Sequence, residues 1–211
     1  MFNKTEFASV FEKIVTDYSL VFGTKITDLT LETLIYKALQ RCKLSPVWDS
    51  GGHGPGMDIS FLNDEYRLSV KSAKETANRL TISSFRTTTY DTLQEKLDYF
   101  DGSGKNFNYY FVLSRIEKKA CKSRPIGNRK YIARMIPADL VVAGNKQWYE
   151  TNSGWACEKT DGVTMRIQKK MSDQFWFDID KDIIDNSPDV INLFEIDMGY
   201  DELGSRDFTV V

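Results

Sequence analysis

The sequence predicts a single α/β domain, and three observations carry that expectation. Apolar residues recur at helical spacing in some stretches and alternate with a two-residue period in others. Between residues 28 and 116 these stretches follow one another in the order α, β, β, β, α, β. The chain has 211 residues, a length that suits one core, and no linker-like segment divides it.

Residues 5–22 are the first expected helix, with Phe7, Val10, Phe11, Ile14, Val15 and Tyr18 on one stripe and Gly23 as its stop. Residues 28–42 are the second, since Leu31, Leu34, Ile35, Ala38, Leu39 and Cys42 keep the i, i+3, i+4, i+7 pattern. A loop rich in Gly and Pro follows from Ser45 to Gly56. Residues 57–61, 66–71 and 80–86 alternate as strands. Residues 90–100 place Tyr90, Leu93, Leu97 and Phe100 on one helical face, and 108–116 is a dense apolar run that suits a buried strand. Further on, 131–142, 163–168 and 174–179 are expected as strands and 185–194 as a short helix.

Composition narrows the chemistry. Hydrophobic residues make up 41% and charged residues 27%, a globular balance that excludes disorder. No apolar run approaches the roughly 20 residues of a membrane helix. The first residues carry Glu6 and Glu12 and no apolar h-region, so no secretory leader is expected. Cys42, Cys121 and Cys157 stand far apart and form no CxxC pair, which argues against a disulfide framework and a structural zinc site and favours a cytoplasmic location. The one histidine leaves little room for His-based catalysis and points to carboxylates, lysine and a bound cation. Charge is unevenly spread. Residues 115–134 hold Arg115, Lys118, Lys119, Lys122, Arg124, Arg129, Lys130 and Arg134 against Glu117 alone, whereas residues 171–211 hold eleven acids against Lys181 and Arg206. The basic stretch reads either as a polyanion footprint or as a solvated loop.

The hairpin over residues 57–71 gathers the most chemistry. If Asn63-Asp64 forms a two-residue turn, Leu62 opposes Glu65 and Asp58 opposes Ser69 on the polar face. Opposed Cβ atoms lie about 4.5–5.5 Å apart, and Lys71 is the diagonal neighbour of Asp58 at about 7–8 Å. An acid, a hydroxyl and a lysine within one side chain's reach suit phosphodiester hydrolysis. Mg²⁺ takes hard oxygen ligands, often one or two carboxylates with water and phosphate, and a nearby lysine orients the attacking water. The alternative is a half-buried hairpin whose polar face meets solvent.

The segments GMDISF and YRLSVKS, after an amphipathic helix and a Gly/Pro loop and before β-α-β, resemble the PD-(D/E)xK nuclease superfamily. The GGHGPGMDI entry is similar to that of type II restriction endonucleases. The resemblance covers residues 28–116. It implies a restriction-endonuclease-like core, α-β-β-β-α-β, with a central mixed sheet flanked by helices. Residues 117–211 would then supply DNA recognition and dimer contacts. It also implies Mg²⁺-dependent cleavage of double-stranded DNA at a specific site, by a homodimer. Asp58 falls on the principal metal ligand, the Val70 carbonyl on a second, and Lys71 on the water-orienting lysine. Two positions depart from the pattern: Gly56-Met57 stands where the family has Pro, Pro55 lying further back, and Ser69 stands where it has an acid.

Glu32, at the edge of the apolar stripe of its helix, is the best replacement for that acid. Glu75 points the same way as Lys71 but lies farther from Asp58, and Asp91 and Glu95 point away. Lys74 replaces Lys71 if the register slips. His53 is placed either to touch a phosphate or to organise its loop, and Lys118, Lys119, Lys122 and Arg124 to contact the DNA backbone. Gly102-Ser103-Gly104-Lys105 precedes a strand and reads as a turn, not a phosphate loop. Trp148, Tyr149, Trp155, Phe175 and Trp176 read as core. Two rivals stand beside the restriction endonuclease: a structure-specific repair or recombination nuclease, and a DNA-binding module of the same fold that has lost catalysis.

Overall fold

The computed structural model describes residues 2–22, 25–48, 56–118 and 128–198. Within them lie the helices α1 (Lys4–Phe22), α2 (Asp28–Arg41), α3 (Leu93–Asp101) and α4 (Lys181–Asn186). The strands are β1 (Val47–Trp48), β2 (Ile59–Phe61), β3 (Tyr66–Glu75), β4 (Arg79–Arg86), β5 (Tyr109–Lys118) and β6 (Asn128–Pro137). They continue with β7 (Trp148–Thr151), β8 (Gly154–Cys157), β9 (Val163–Gln168), β10 (Gln174–Asp180) and β11 (Ile191–Met198). All eleven strands join one mixed sheet in the order β11-β6-β5-β3-β4-β10-β9-β8-β7, with β2 on β3 and β1 on β2. The β3–β5 pair is parallel and the other named pairs are antiparallel.

Two apolar layers hold the sheet. On one face α1 and α2 lay Phe7, Phe11, Val15, Leu31, Ile35 and Leu39 over Ile59, Leu68, Val70, Phe111, Ala133 and Met135. The opposite face buries Leu80, Ile82, Tyr110, Val112, Met165, Phe175 and Phe177 beneath α3, α4 and the short turn after β6. The helices of the first layer reach only part of the sheet, because β1, β2, β3, β5, β6 and β11 supply all its strand residues.

The expected order over residues 28–116 is present, with β1 added. The sheet around it is much larger than that order alone predicts. Strand β2 begins at Ile59 rather than at residue 57, and Met57 packs on the opposite layer from Ile59. Helix α3 begins at Leu93 because Thr92 caps it, with Glu95 completing a capping box. The strand expected over 131–142 runs instead from Asn128 to Pro137 and ends in a 3₁₀ turn. Residues 185–194 are not a helix. Helix α4 stops at Asn186, and β11 starts beyond Pro188, with Phe194, Ile196 and Met198 facing the α1 layer and alternating with exposed Glu195 and Asp197. The β7–β8 hairpin has no counterpart in the sequence expectations.

A buried charge network ties β3, β5, β6 and α4 together. Arg134 grips Glu75 with both nitrogens of its fork, at 2.7 and 3.2 Å, and Lys181 reaches the same carboxylate at 2.9 Å. Ser114 donates to it as well. Burial alone would raise the Glu75 pKa, but the hydrogen bonds from Arg134, Ser114 and Lys181 outweigh it and hold the carboxyl below its ordinary range. Glu75 is thereby fully committed to the fold. Glu75→Ala should leave buried Arg134 with only the half-exposed Asp185, 4.0 Å away, as counter-charge and cost about 3 kcal/mol in urea unfolding. A lowered carboxylate pKa stabilises at neutral pH and ceases to do so as pH falls through it. The gap between wild type and variant should therefore narrow from about pH 4 downward.

Candidate active site

The site forms where the edge of β3 changes partners. Residues 66–68 pair with β2, and Lys74 and Glu75 pair with β4. Between those ladders the amides of Val70 and Ser72 have no strand to meet, and a backbone N–H must find an acceptor. Carboxylates supply it. The Val70 amide donates to Asp58 Oδ2 at 2.6 Å and the Ser72 amide to Asp28 Oδ1 at 2.6 Å.

The hairpin that delivers Asp58 closes in the register its sequence predicts, but the turn spans residues 62–65 and Leu62 does not pair with Glu65 as a strand residue: Leu62, Asn63 and Asp64 are all left-handed, φ 51°, 52° and 65°. Phe61 then opposes Tyr66 and Ile59 opposes Leu68. The ladder ends there, but the Asp58 amide still reaches the Leu68 carbonyl at 2.8 Å. Lys71 Nζ stands 3.5 Å from Asp58 Oδ2 and donates to the Val70 carbonyl at 2.9 Å. Both side chains are largely shielded, 25% exposed for Asp58 and 16% for Lys71.

Glu32 approaches from α2. Its Oε2 accepts the Trp48 indole N–H at 3.1 Å, and the Trp48 ring packs 5.2 Å from that of Tyr36. The two-residue strand β1 thus orients this carboxylate. The Glu32 pKa is raised, first by burial and also by the charges of Asp58 and Asp28, while the Trp48 hydrogen bond and Lys71 oppose the rise. Asp28 lies one helical turn before Glu32 and shares its side of α2, a spacing visible in the sequence though its role was not anticipated. Trp48 was missed too, since an indole in a Gly/Pro loop carries no periodic signal.

The other expected residues fall elsewhere. Ser69 is fully buried, and its hydroxyl has no hydrogen-bond partner among the described residues. Glu75 belongs to the Arg134 network, and Glu95 caps α3. Lys105 lies buried against Asp101 and the Val141 carbonyl, so the Gly102–Lys105 stretch is a structural turn. His53, Lys119, Lys122 and Arg124 lie outside the described residues, as does the side chain of Lys118. The rest of the basic stretch is matched by acids: Arg115 and Arg129 by Glu117 at 3.1 and 3.6 Å, Lys130 by Glu195, and Arg134 by Glu75.

No family model, curated protein or solved structure matches the chain. The donors at the gap must therefore be judged by their own chemistry. The Asp58 and Glu32 carboxylates and the Val70 carbonyl are hard oxygens, and Lys71 is the cation that the structure sets among them. Among the described residues no three His, Cys, Asp or Glu side chains gather into a metal cluster. Mg²⁺ asks for less, holding several waters alongside one or two carboxylates, so this donor set fits it.

Two predictions follow from the geometry. A raised carboxyl pKa means that ionised Glu32 weighs against folding, an effect absent below the ordinary carboxylate range and growing as pH rises through it. In a chelator at pH 8, Glu32→Gln should melt above wild type, and the difference should vanish near pH 4. Ser69→Ala removes a buried hydroxyl with no partner, so melting temperature should be unchanged or slightly higher. Any DNA cleavage by the wild type should persist in that variant; loss of cleavage would return Ser69 to the site.

Proposed function

We propose that the chain is a Mg²⁺-dependent nuclease of the PD-(D/E)xK type that hydrolyses phosphodiester bonds of double-stranded DNA. The observation that carries this reading is the Asp58–Lys71 pair at the break in the β3 ladder, with Glu32 near enough to feel both charges, in the element order that the resemblance requires. Asp58, the Val70 carbonyl and Glu32 would hold the ion, with Glu32 replacing the acid missing at Ser69. The bound ion would stabilise charge on the phosphoryl oxygens and leaving group. Lys71 would orient the attacking water, its ammonium being held beside Asp58 rather than lost to solvent. Site-specific cleavage by a homodimer, as in type II restriction endonucleases, is the most defined form of this proposal, because a palindromic site mirrors a two-fold protein.

One observation favours a second reading. Position 69, where the motif usually carries an acid, holds a serine whose hydroxyl is buried away from Lys71's site. If Glu32 does not compensate, the domain binds DNA without cutting it.

Incubating the protein with phage DNA and Mg²⁺ separates these readings. Discrete fragments mark a site-specific enzyme, a smear marks a structure-specific or unspecific nuclease, and intact DNA marks the binding module. Asp58→Ala should lower cleavage by several orders of magnitude and leave folding and DNA binding in Ca²⁺ intact. Full cleavage by that variant would overturn the assignment.

A further inference from the structure

The face of the sheet that carries α1 and α2 continues past β3 across β4, β10, β9, β8 and β7, and no helix among the described residues covers it there. The registers identify its side chains. Lys74 opposes Thr81, which opposes Asp178, which opposes Thr164. The next row sets Ser83 beside Trp176, Arg166, Ala156 and Tyr149. A third brings Arg86, Gln174 and Gln168 together. This face is polar where the matching face of the inner strands is apolar. Tyr149 is 51% exposed, and Trp176 is half-buried with the Arg166 guanidinium 5.6 Å from its ring centre, so neither belongs to the core as the sequence suggested.

Its charges are sorted. The acids of this face, Asp178 and Asp180, are both matched. Asp178 accepts from Thr81 and from Arg166 at 2.7 Å, with Arg79 4.0 Å away, and Asp180 is paired with Lys159. The charges left over are cationic: Lys74 and Arg86 are exposed and have no acidic partner among the described residues, and Arg79 is 59% exposed. The outer cations border a floor of hydroxyl and amide side chains. Four inter-strand spacings make that floor about 19 Å wide, the scale of a duplex rather than of a single nucleotide. It reaches the site at the break in β3 from the α2 side: Ser72 and Lys74 lie on it two and four residues beyond Val70, about 13 Å of strand at most, whereas Asp58 and Lys71 come to the Val70 backbone at that edge from the opposite face.

We infer that this open face of β4, β10, β9, β8 and β7 is where the backbone of double-stranded DNA lies as it enters the Asp58–Lys71 site. The inference rests on the nuclease reading and gives the duplex a surface distinct from the basic stretch at 115–134. Lys74 and Arg86 neutralise phosphates, Arg79 adds to the field, and Ser83, Thr164 and Gln168 donate to phosphate oxygens.

The test measures binding of a 30-base-pair duplex across salt concentrations in Ca²⁺, for wild type, Lys74→Ala/Arg86→Ala, and a control, Lys13→Ala/Lys37→Ala, on the outer surfaces of α1 and α2. Each phosphate contact contributes about 0.9 to the log-log salt slope, so the floor variant should lose up to about two from it and bind more weakly, while the control should match wild type. Wild-type binding and cleavage with an unchanged slope in the floor variant would overturn the surface and leave the nuclease reading standing. Absence of wild-type binding to the duplex would overturn both.

Discussion

The structure depends on a constraint at the edge of β3. One strand serves two antiparallel partners in succession, β2 along residues 66–68 and β4 at Lys74 and Glu75. The intervening amides of Val70 and Ser72 must still be satisfied, and acids at both positions do it. At buried Val70 there is little choice, since an unmet donor there costs about 1–3 kcal/mol. The same break that demands acceptors also opens the sheet, so the carboxylates that satisfy it stand where an outside group can reach them. Lys71 and Glu32 then approach that opening, one from β3 itself and one from α2.

The rest of the fold holds this opening in place. The parallel β3–β5 pair and the two apolar layers fix β3 from its other edge and both faces. The Glu75–Arg134–Lys181 network clamps its far end, where β3 meets β4. Because α1 and α2 cover only the inner strands, the outer strands keep a polar face that leads toward the opening. Charge is handled differently in the two halves. In the described part of the basic stretch, cations meet acids within the protein, whereas on the outer face cations are left over.

Much of this was legible in the sequence. The hairpin register followed from Asn63-Asp64, because only a few residue pairs tolerate two consecutive left-handed positions, and it placed Asp58 beside the 69–71 segment. Glu32 was legible from its place at the border of the α2 stripe. What failed to show had physical reasons. Asp28 and Trp48 act through single long-range hydrogen bonds, which leave no periodic pattern. Glu75 reads as available because sequence shows the direction of a side chain along a strand but not the arginine 59 residues away that occupies it. Strand β11 was hidden by Pro188, which splits an apparently helical stretch into a helix end and a strand start. Trp176 and Tyr149 read as core in the sequence because aromatic residues usually are, while the lack of a covering helix among the described residues is a tertiary fact.

The central claim is that one divalent cation belongs between Asp58, Glu32 and the Val70 carbonyl. The most direct measurement is the anomalous scattering of Mn²⁺ soaked into crystals of the protein. The account predicts a single strong peak at the break in β3, within bonding distance of an Asp58 oxygen, with Lys71 displaced from the Val70 carbonyl and the peak lost in Asp58→Ala. A peak elsewhere with none at this break, or a peak there that survives Asp58→Ala, would contradict it.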